Sequence, residues 1–282
     1  MHPEDLPSGI PLTPSSSPVG MIAGNGSFPF VFLEAAKAAA LSVVVVAHEG
    51  ETDPSIEKTG FPVRWIRLGQ VGAIFDVFHH HGIVSAAFVG GVKKPKLFEL
   101  RPDWKGMKIL GRLARYHDDE VLRALADEFE REGITIVPST ILLPSLAAPE
   151  GILTRRGPSE AEKADIRVGA EVAKAIGVAD IGQCLVVREK VVVAVEAIEG
   201  TDETIRRAGS VGGPGAAVIK LAKPSQDLRF DLPSIGPETI RVMKEAGASV
   251  LAIEAGKTLI FDRDEVLSLA NEAKIAIVGI RP

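Results

Sequence analysis

The sequence predicts an α/β protein built of two α/β domains, the first Rossmann-like with a mainly parallel sheet, the second a mixed sheet with helices. Three observations predict it. From Val19 onward apolar runs of strand length alternate with helical periods, the rhythm of βαβ units. The segment Pro138–Gly157 is rich in Pro and Gly and keeps no period, which marks a domain boundary. The 282 residues, 46% hydrophobic and 24% charged, supply two cores at about 150 residues per domain. The expected organisation is a disordered leader over 1–18, an N-terminal domain over 19–150 and a C-terminal domain over 151–282.

The leader holds five Pro and four Ser with little apolar pattern, too little to offset the entropy of ordering. Val19–Ala23 reads as a strand, followed by a glycine-bounded turn, a helix from Phe28 to Leu41 and a strand over Ser42–Ala47. Val63–Leu68, a helix around Val71–His81, the strand Ser85–Val89, a charged helix Asp118–Glu132 closed by Gly133, and Ile134–Val137 continue the alternation. Beyond the boundary, Ser159 and Glu162 have the spacing of a capping box and open a helix to about Gly177. Cys184–Arg188 and Val191–Ile198 flank Glu189-Lys190 as paired strands, and a short helix starts at Asp202 with Gly209 suited to its C-cap. Ala217–Leu221 and Gln226–Asp231 read as extended, Gly236-Pro237 as a helix start, Val250–Phe261 as hairpin-like, then a helix from Asp262 and a last strand Ile275–Ile280.

Composition excludes several classes. With 32 basic and 37 acidic residues the net charge is −5, which disfavours a general nucleic-acid binder. No apolar run reaches the roughly 18 residues of a spanning helix, and no secretory signal pattern is found. The single cysteine, Cys184, forms no intrachain disulfide and fits a reducing, cytoplasmic setting.

Candidate chemistry falls in four places. The turn Gly20–Pro29, with Gly24, Asn25, Gly26 and Ser27, aims backbone N–H groups and a helix start at an anion, although Pro29 stands where a dinucleotide fingerprint has its third glycine. A plain tight βα turn is the alternative. Three adjacent imidazoles at His79–His81 point about 100° apart on a helix, so they read as a solvated helix end rather than a ligand set. Lys93, Lys94 and Lys96 follow the Ala86–Val89 strand, where open sheets bind ligands; an ordinary charged loop is the alternative.

The densest cluster runs from Glu196 to Asp231. Glu196, Glu199, Thr201 and Asp202 sit between a strand and a helix, followed by Lys220 and then Gln226-Asp-Leu-Arg-Phe-Asp231. If that last stretch is extended, Asp227, Arg229 and Asp231 share one face. Carboxylates with a guanidinium suit a Mg²⁺ diphosphate, and equally a self-neutralising surface face.

At these residues the chain resembles the UDP-2,3-diacylglucosamine pyrophosphatases of lipid A synthesis, the LpxI type. The motifs are Gly20-Met-Ile-Ala-Gly-Asn-Gly-Ser-Phe-Pro29, Asp118-Asp119, Val195-Glu-Ala-Ile-Glu-Gly-Thr-Asp202 and Lys223-Pro-Ser-Gln-Asp-Leu-Arg-Phe-Asp-Leu-Pro-Ser-Ile-Gly236. Asn25 and His117 stand where the family often has Gly. The resemblance implies a Mg²⁺-dependent hydrolase that splits UDP-2,3-diacylglucosamine into UMP and 2,3-diacylglucosamine 1-phosphate (lipid X), with water directed to the β-phosphorus. It further implies a homodimer, a ligand chamber between two domains, and a cytoplasmic protein in transient peripheral contact with the inner-membrane surface.

On that reading Asp227, Lys220 and Arg229 are catalytic; Gly24, Asn25, Gly26, Ser27, Lys94, Thr201 and Gln226 bind substrate; Asp227, Asp231 and Glu199 are metal candidates. Which carboxylate is ligand and which orients water stays open. Apolar residues such as Phe28, Phe30, Phe32 and Leu33, or Ile74, Phe75 and Phe78, would line an acyl chamber or simply fill the core. The competing functions are a nicotinamide-dependent oxidoreductase, with Glu49 or Glu51 on the ribose, and a non-catalytic nucleotide-sugar or lipid carrier.

Overall fold

The computed structural model describes residues 17–92, 102–111, 118–224, 227, 229–230 and 232–282. The chain forms two compact units: Met1–Pro144 with Asp227–Asp231, and Ser145–Gln226 with Leu232–Pro282. Of the expected site residues, Lys94, Gln226 and Asp231 lie outside the described residues, as do Lys93, Lys96, His117 and the leader up to residue 16.

In unit 1, strands β1 (Val19–Ala23), β2 (Val43–His48), β3 (Val63–Ile66), β4 (Ser85–Val89) and β5 (Thr135–Ile136) form a parallel sheet in the order β3-β2-β1-β4-β5. Central β1 and β2 are buried along their whole length, which is why they read as unbroken apolar runs rather than alternating ones. Helices α1 (Phe28–Ala38), α2 (Val71–His80), α3 (Trp104–Leu110) and α4 (Asp118–Arg131) accompany the sheet. Two apolar clusters form. One contains Phe32, Leu33 and Val45, the other Ile74, Phe75, Phe78 and Phe129. Phe32, Leu33, Ile74, Phe75 and Phe78 are therefore core, while Phe28 and Phe30 are partly buried. A Cβ at Gly20 would lie 2.6 Å from the Phe78 ring, so the glycine lets that ring rest on β1. Helix α1 stops short of Leu41 because Ala40 turns left-handed (φ 53°) and Leu41 N closes back on Ala36 O at 2.9 Å.

In unit 2, β6 (Gly151–Ile152), β7 (Cys184–Arg188), β8 (Val191–Val195), β9 (Ala217–Lys220), β11 (Val250–Glu254) and β13 (Ala276–Ile280) form a sheet in the order β6-β13-β11-β9-β7-β8. The β9, β11 and β13 strands are parallel; β6, β7 and β8 join antiparallel, giving the mixed sheet expected. A separate parallel pair joins β10 (Ser234–Ile235) to β12 (Leu259–Ile260). Its helices are α5 (Glu160–Val178), α6 (Thr201–Gly212), α7 (Pro237–Glu245) and α8 (Arg263–Glu272). The Ser159–Glu162 capping box is present, and Glu189 and Lys190, both at positive φ, close the β7–β8 hairpin.

Three further expectations change. Val250–Phe261 is no hairpin: β11 pairs with β9 and β13, and β12 leaves for β10. Gly209 does not end α6, which continues to Gly212. Instead a Cβ at Gly209 would meet Ala246 at 2.7–2.8 Å, so the glycine allows α6 to touch the end of α7. Finally, the described residues of Gln226–Asp231 are not extended: Phe230 N bonds Asp227 O at 3.1 Å and Arg229 N bonds Asp227 Oδ1 at 3.0 Å, an aspartate-started turn. The shared strand face of Asp227, Arg229 and Asp231 is thereby withdrawn.

Candidate active site

The C-terminal end of β9 in unit 2 opens into a cleft of about 360 Å³ lined by Thr201, Asp202, Lys220, Ser234, Gly236 and Thr239, with Glu199, Gly200, Glu203, Ile235 and Phe261 completing the wall. Ligands of open α/β sheets bind at this end of the strands. Helices α6 and α7 both begin at the cleft, from Gly200 and Gly236, and neither has a side-chain cap on its first N–H groups. Two uncapped helix starts supply donors and the positive ends of two helix dipoles.

Lys220, the last residue of β9, is 94% buried by side-chain and strand neighbours, being 6% exposed, and its Nζ donates to Ser234 O at 2.7 Å. Buried Glu196 holds the rim in shape. It accepts from Thr201 Oγ1 at 3.1 Å and from Gln183 N at 3.2 Å, tying the first residue of α6 to the segment before β7. Cys184, paired with Lys220 across the β7–β9 ladder, is buried, and burial pushes its thiol up to about 12, so it stays a neutral packing residue.

The carboxylates of the cleft differ in engagement. Glu199 accepts from Arg207 at 2.6 Å, from Thr204 at 3.3 Å and from Ala197 N at 3.1 Å; its own backbone N–H first, then Arg207, hold it to about 2. Glu203 pairs with Arg206 at 2.7 Å. Asp202 is the contrast: burial raises its carboxyl above the ordinary value, against the opposing pull of Lys220 and Arg206. Among the described residues no group of three or more His, Cys, Asp or Glu converges as a metal cage. Mg²⁺ needs none, since it takes one or two carboxylates and completes its shell with water and phosphate oxygens. Asp202 in a cleft that also offers Lys220 fits that donor set, because a cation would relieve a carboxylate that burial disfavours.

Asp227 and Arg229 belong to unit 1. The Arg229 guanidinium grips Asp227 through Nε (3.1 Å to Oδ1) and Nη2 (2.8 Å to Oδ2), and Nη1 reaches Glu130 at 3.2 Å. Burial raises the Asp227 carboxyl, but the Arg229 side chain and N–H outweigh it and leave the group below its ordinary value. Phe230 anchors this turn in the core by edge contact with Phe88, centroids 5.2 Å apart. The Gln226–Asp231 segment expected in the C-terminal domain is thus split between units after Gln226.

The glycine turn also departs from expectation. Gly24 N and Asn25 N donate to Val89 O and Gly91 O at 2.8 Å each, stitching the turn to the end of β4. A Cβ at Gly24 would stand 2.3 Å from Gly91 O. These two amides therefore face protein, and any anion-facing role passes to Gly26 and Ser27, where α1 starts without a side-chain cap. The Asn25 amide is turned to Glu51 at 3.0 Å, and Thr52 and His48 both bond Ala23 O. His79 and His80 end α2 on its exposed side, as expected, with His79 near the Glu132 carbonyl at 3.3 Å.

Ser234, Gly236, Thr239 and Phe261 were not anticipated as cleft residues. The Gly236-Pro237 start of α7 was readable, but its meeting with Lys220 is a tertiary fact with no local signal. No helix among the described residues is long and apolar enough to cross a membrane.

Comparison with known proteins converges on one family. Residues 18–146 match the model of the LpxI N-terminal domain and residues 149–278 that of the LpxI C-terminal domain. The UDP-2,3-diacylglucosamine pyrophosphatase LpxI of Caulobacter vibrioides is 35% identical over 277 residues, covering 94% of this chain and 98% of the relative. Among solved structures, the biotin carboxylase subunit of pyruvate carboxylase is 14% identical, covers 64% of this chain and 36% of its own, and has a TM-score of 0.26, too low to bear on fold or function. With both family domains matched in order and a relative aligned along nearly its whole length, the chain belongs to the LpxI family.

Proposed function

We propose that the chain hydrolyses the diphosphate bond of UDP-2,3-diacylglucosamine, releasing UMP and lipid X. The carrying observation is the Caulobacter vibrioides relative, named as that pyrophosphatase and aligned over 94% of this chain. The unit 2 cleft supplies fitting chemistry. A diphosphate is inert because its charge repels nucleophiles, so catalysis needs charge neutralisation and an oriented water. Lys220 and the first-turn N–H groups of α6 and α7 bind phosphate oxygens, with Thr201 fixed for a further hydrogen bond by Glu196. For Asp227 and Arg229 of unit 1, a role in orienting water and neutralising phosphate charge is proposed from the family resemblance alone. In unit 1, the uncapped start of α1 at Gly26 and Ser27 has the chemistry of an anion contact.

Mg²⁺ when bound would offset phosphate charge beside the acidic first turn of α6. In the unit 2 cleft Asp202 and Glu199 are candidate holders, and Glu199 would first have to leave Arg207; Asp227 and Asp231 are proposed from the resemblance alone, and Asp227 would have to leave Arg229. We assign water attack to the β-phosphorus, and place the enzyme as a homodimer in the cytoplasm in transient contact with the inner-membrane surface; it draws its lipid-linked nucleotide sugar from there. A nicotinamide reading is disfavoured by the stitched glycine turn, whose Gly24 and Asn25 amides are already bonded to Val89 O and Gly91 O.

The test is incubation of purified protein with UDP-2,3-diacylglucosamine in ¹⁸O-labelled water, with and without chelator and added Mg²⁺. Release of UMP, label in lipid X, loss on chelation and rescue by Mg²⁺ are expected. Binding without UMP release would make the protein a carrier, label in UMP would move the attack to the α-phosphorus, and full activity in the chelated sample would remove the metal.

A further inference from the structure

Helix α3 of unit 1 is anchored on one side and bare on the other. Its N-cap, Asp103, accepts from Gly106 N at 2.8 Å and from Gly72 N of α2 at 2.7 Å. Gly106 and Ile109 are buried, and a Cβ at Gly106 would stand 2.5 Å from Gly69 O, so the helix docks through glycine at a distance no other residue permits. Lys105 closes that side, its Nζ 2.5 Å from Glu132 and 4.5 Å from the centre of the Phe75 ring.

On the outer side Trp104, Met107 and Lys108 share a face, at spacings of three and four residues. Trp104 is 83% exposed, the most exposed large apolar side chain among the described residues, and Met107 is 55% exposed. The fixtures that hold α3 thus hold an indole and a thioether in water, where they gain no packing. Charge at this place in the sequence runs against the whole. The chain is net −5, yet between Lys93 and His117 it has eight basic residues and two acidic ones. An exposed Trp beside Lys108, in a basic stretch of the sequence, is what an anionic headgroup layer recognises: the indole sits at the boundary of water and acyl chain, and lysine pairs with lipid phosphate.

We propose that the Trp104–Met107–Lys108 face of α3 docks the enzyme on an anionic phospholipid bilayer. The inference rests on the lipid substrate proposed above and names the surface that meets the membrane holding it. Trp104 and Met107 enter the headgroup layer and Lys108 pairs with phosphate. Two apolar side chains and local charge give reversible attachment, which suits an enzyme that must also let go.

Co-sedimentation of the full chain with vesicles tests it. Binding is expected to vesicles of phosphatidylethanolamine and phosphatidylglycerol and not to pure phosphatidylcholine. Replacing Trp104→Ser together with Met107→Ser should lower partitioning by about tenfold or more, and Lys108→Glu by at least about fivefold, the worth of one basic residue at an anionic surface. Hydrolysis of substrate in detergent micelles should be unchanged in both variants. Equal vesicle binding by variants and wild type would overturn the proposal. So would intact vesicle binding with lost self-association, which would give the face to a second copy of the chain. If the wild type fails to cleave micellar substrate, the hydrolase reading falls, while vesicle partitioning still decides the docking surface. Trp65→Phe leaves Trp104 as the sole tryptophan of an otherwise native surface. Its emission should shift to shorter wavelength on adding the anionic vesicles, and an unmoved spectrum would overturn the proposal even if the other variants misfold.

Discussion

Each unit sends a parallel strand toward a helix start at the C-terminal edge of its sheet, but the two edges are finished differently. Beyond β1 in unit 1 the amides of Gly24 and Asn25 are used up on Val89 and Gly91, and Thr52 and His48 converge on Ala23 O. Beyond β9 in unit 2 a buried lysine faces two uncapped helix starts and an aspartate that burial disfavours in its charged form. At the first edge the Gly24 and Asn25 amides and the Ala23 carbonyl are satisfied internally. The other keeps polar groups that a charged ligand would satisfy. A glycine-rich turn therefore says less about anion binding than the partners of its amides do.

The largest expected effect breaks the open edge. Lys220→Met removes the buried positive charge but keeps the stem length, so kcat/KM should fall by about 10²–10³ with the melting transition near that of the wild type. Steady-state kinetics on micellar substrate measures it, and a loss under fivefold would count against the cleft.

Acid separates the units next. Glu162 of unit 2, its side chain 11% exposed, is pulled up by burial, yet the Arg156 fork, the Ser249 hydroxyl and Ser159 N–H hold it to about 2, from 4.5. A depressed folded value means stability that is fully present above about pH 4.5 and is lost as pH falls toward 2, about 3 kcal/mol in all. Unit 1 closes its core on ring contacts of Phe75, Phe78 and Phe88 with Phe129, which do not titrate. Hydrogen exchange across this pH range should show unit 2 amides losing protection first, and Glu162→Gln should flatten that difference.

Asp227 tests whether the residue gripped by Arg229 in unit 1 has a part in the chemistry. On the proposal that the group orients water, Asp227→Ala should cut kcat by about 10² while substrate is still captured. Single-turnover kinetics and a substrate-binding assay separate the two effects. Near-normal kcat would reduce the Asp227–Arg229–Glu130 group to a surface ion network.

The smallest effect belongs to the sealed edge. Gly24→Ala forces a methyl against Gly91 O and should cost about 2 kcal/mol of stability, seen as a lower melting temperature, with micellar turnover below that temperature nearly unchanged. A large drop in turnover without loss of stability would return the turn to the active site.

What could be read from the sequence was local. Val19–Ala23 and Ser85–Val89 stand as strands over those same residues, the Ser159–Glu162 box caps α5, and the Glu189-Lys190 turn makes its hairpin, because each depends on neighbours within a few positions. Glu196, Thr201 and Asp202 were legible as one polar group for the same reason: they bracket a short β-to-α passage, whereas Lys220 ends a strand one helix later. Contacts distant in sequence were not. Phe230 meets Phe88 and carries Asp227 into unit 1, Gly209 admits Ala246, and α7 brings Gly236 to Lys220; none leaves a periodic trace. Alternation alone made Gln226–Asp231 look extended, where Asp227 instead captures the backbone of its own turn.

The central claim is that the diphosphate is held at the open edge of unit 2 and not at the stitched turn of unit 1. Backbone amide chemical shifts of the full chain, recorded as a methylene-bridged, non-cleavable diphosphate analogue of the substrate is added with Mg²⁺, address it most directly. The largest perturbations should fall on Thr201, Asp202 and Glu203 at the start of α6 and on Gly236 and Glu238 at the start of α7, while the Gly24 and Asn25 amides, already committed to Val89 and Gly91, move little. Strong shifts at Gly24 and Asn25 with the α6 and α7 amides unmoved would contradict the account.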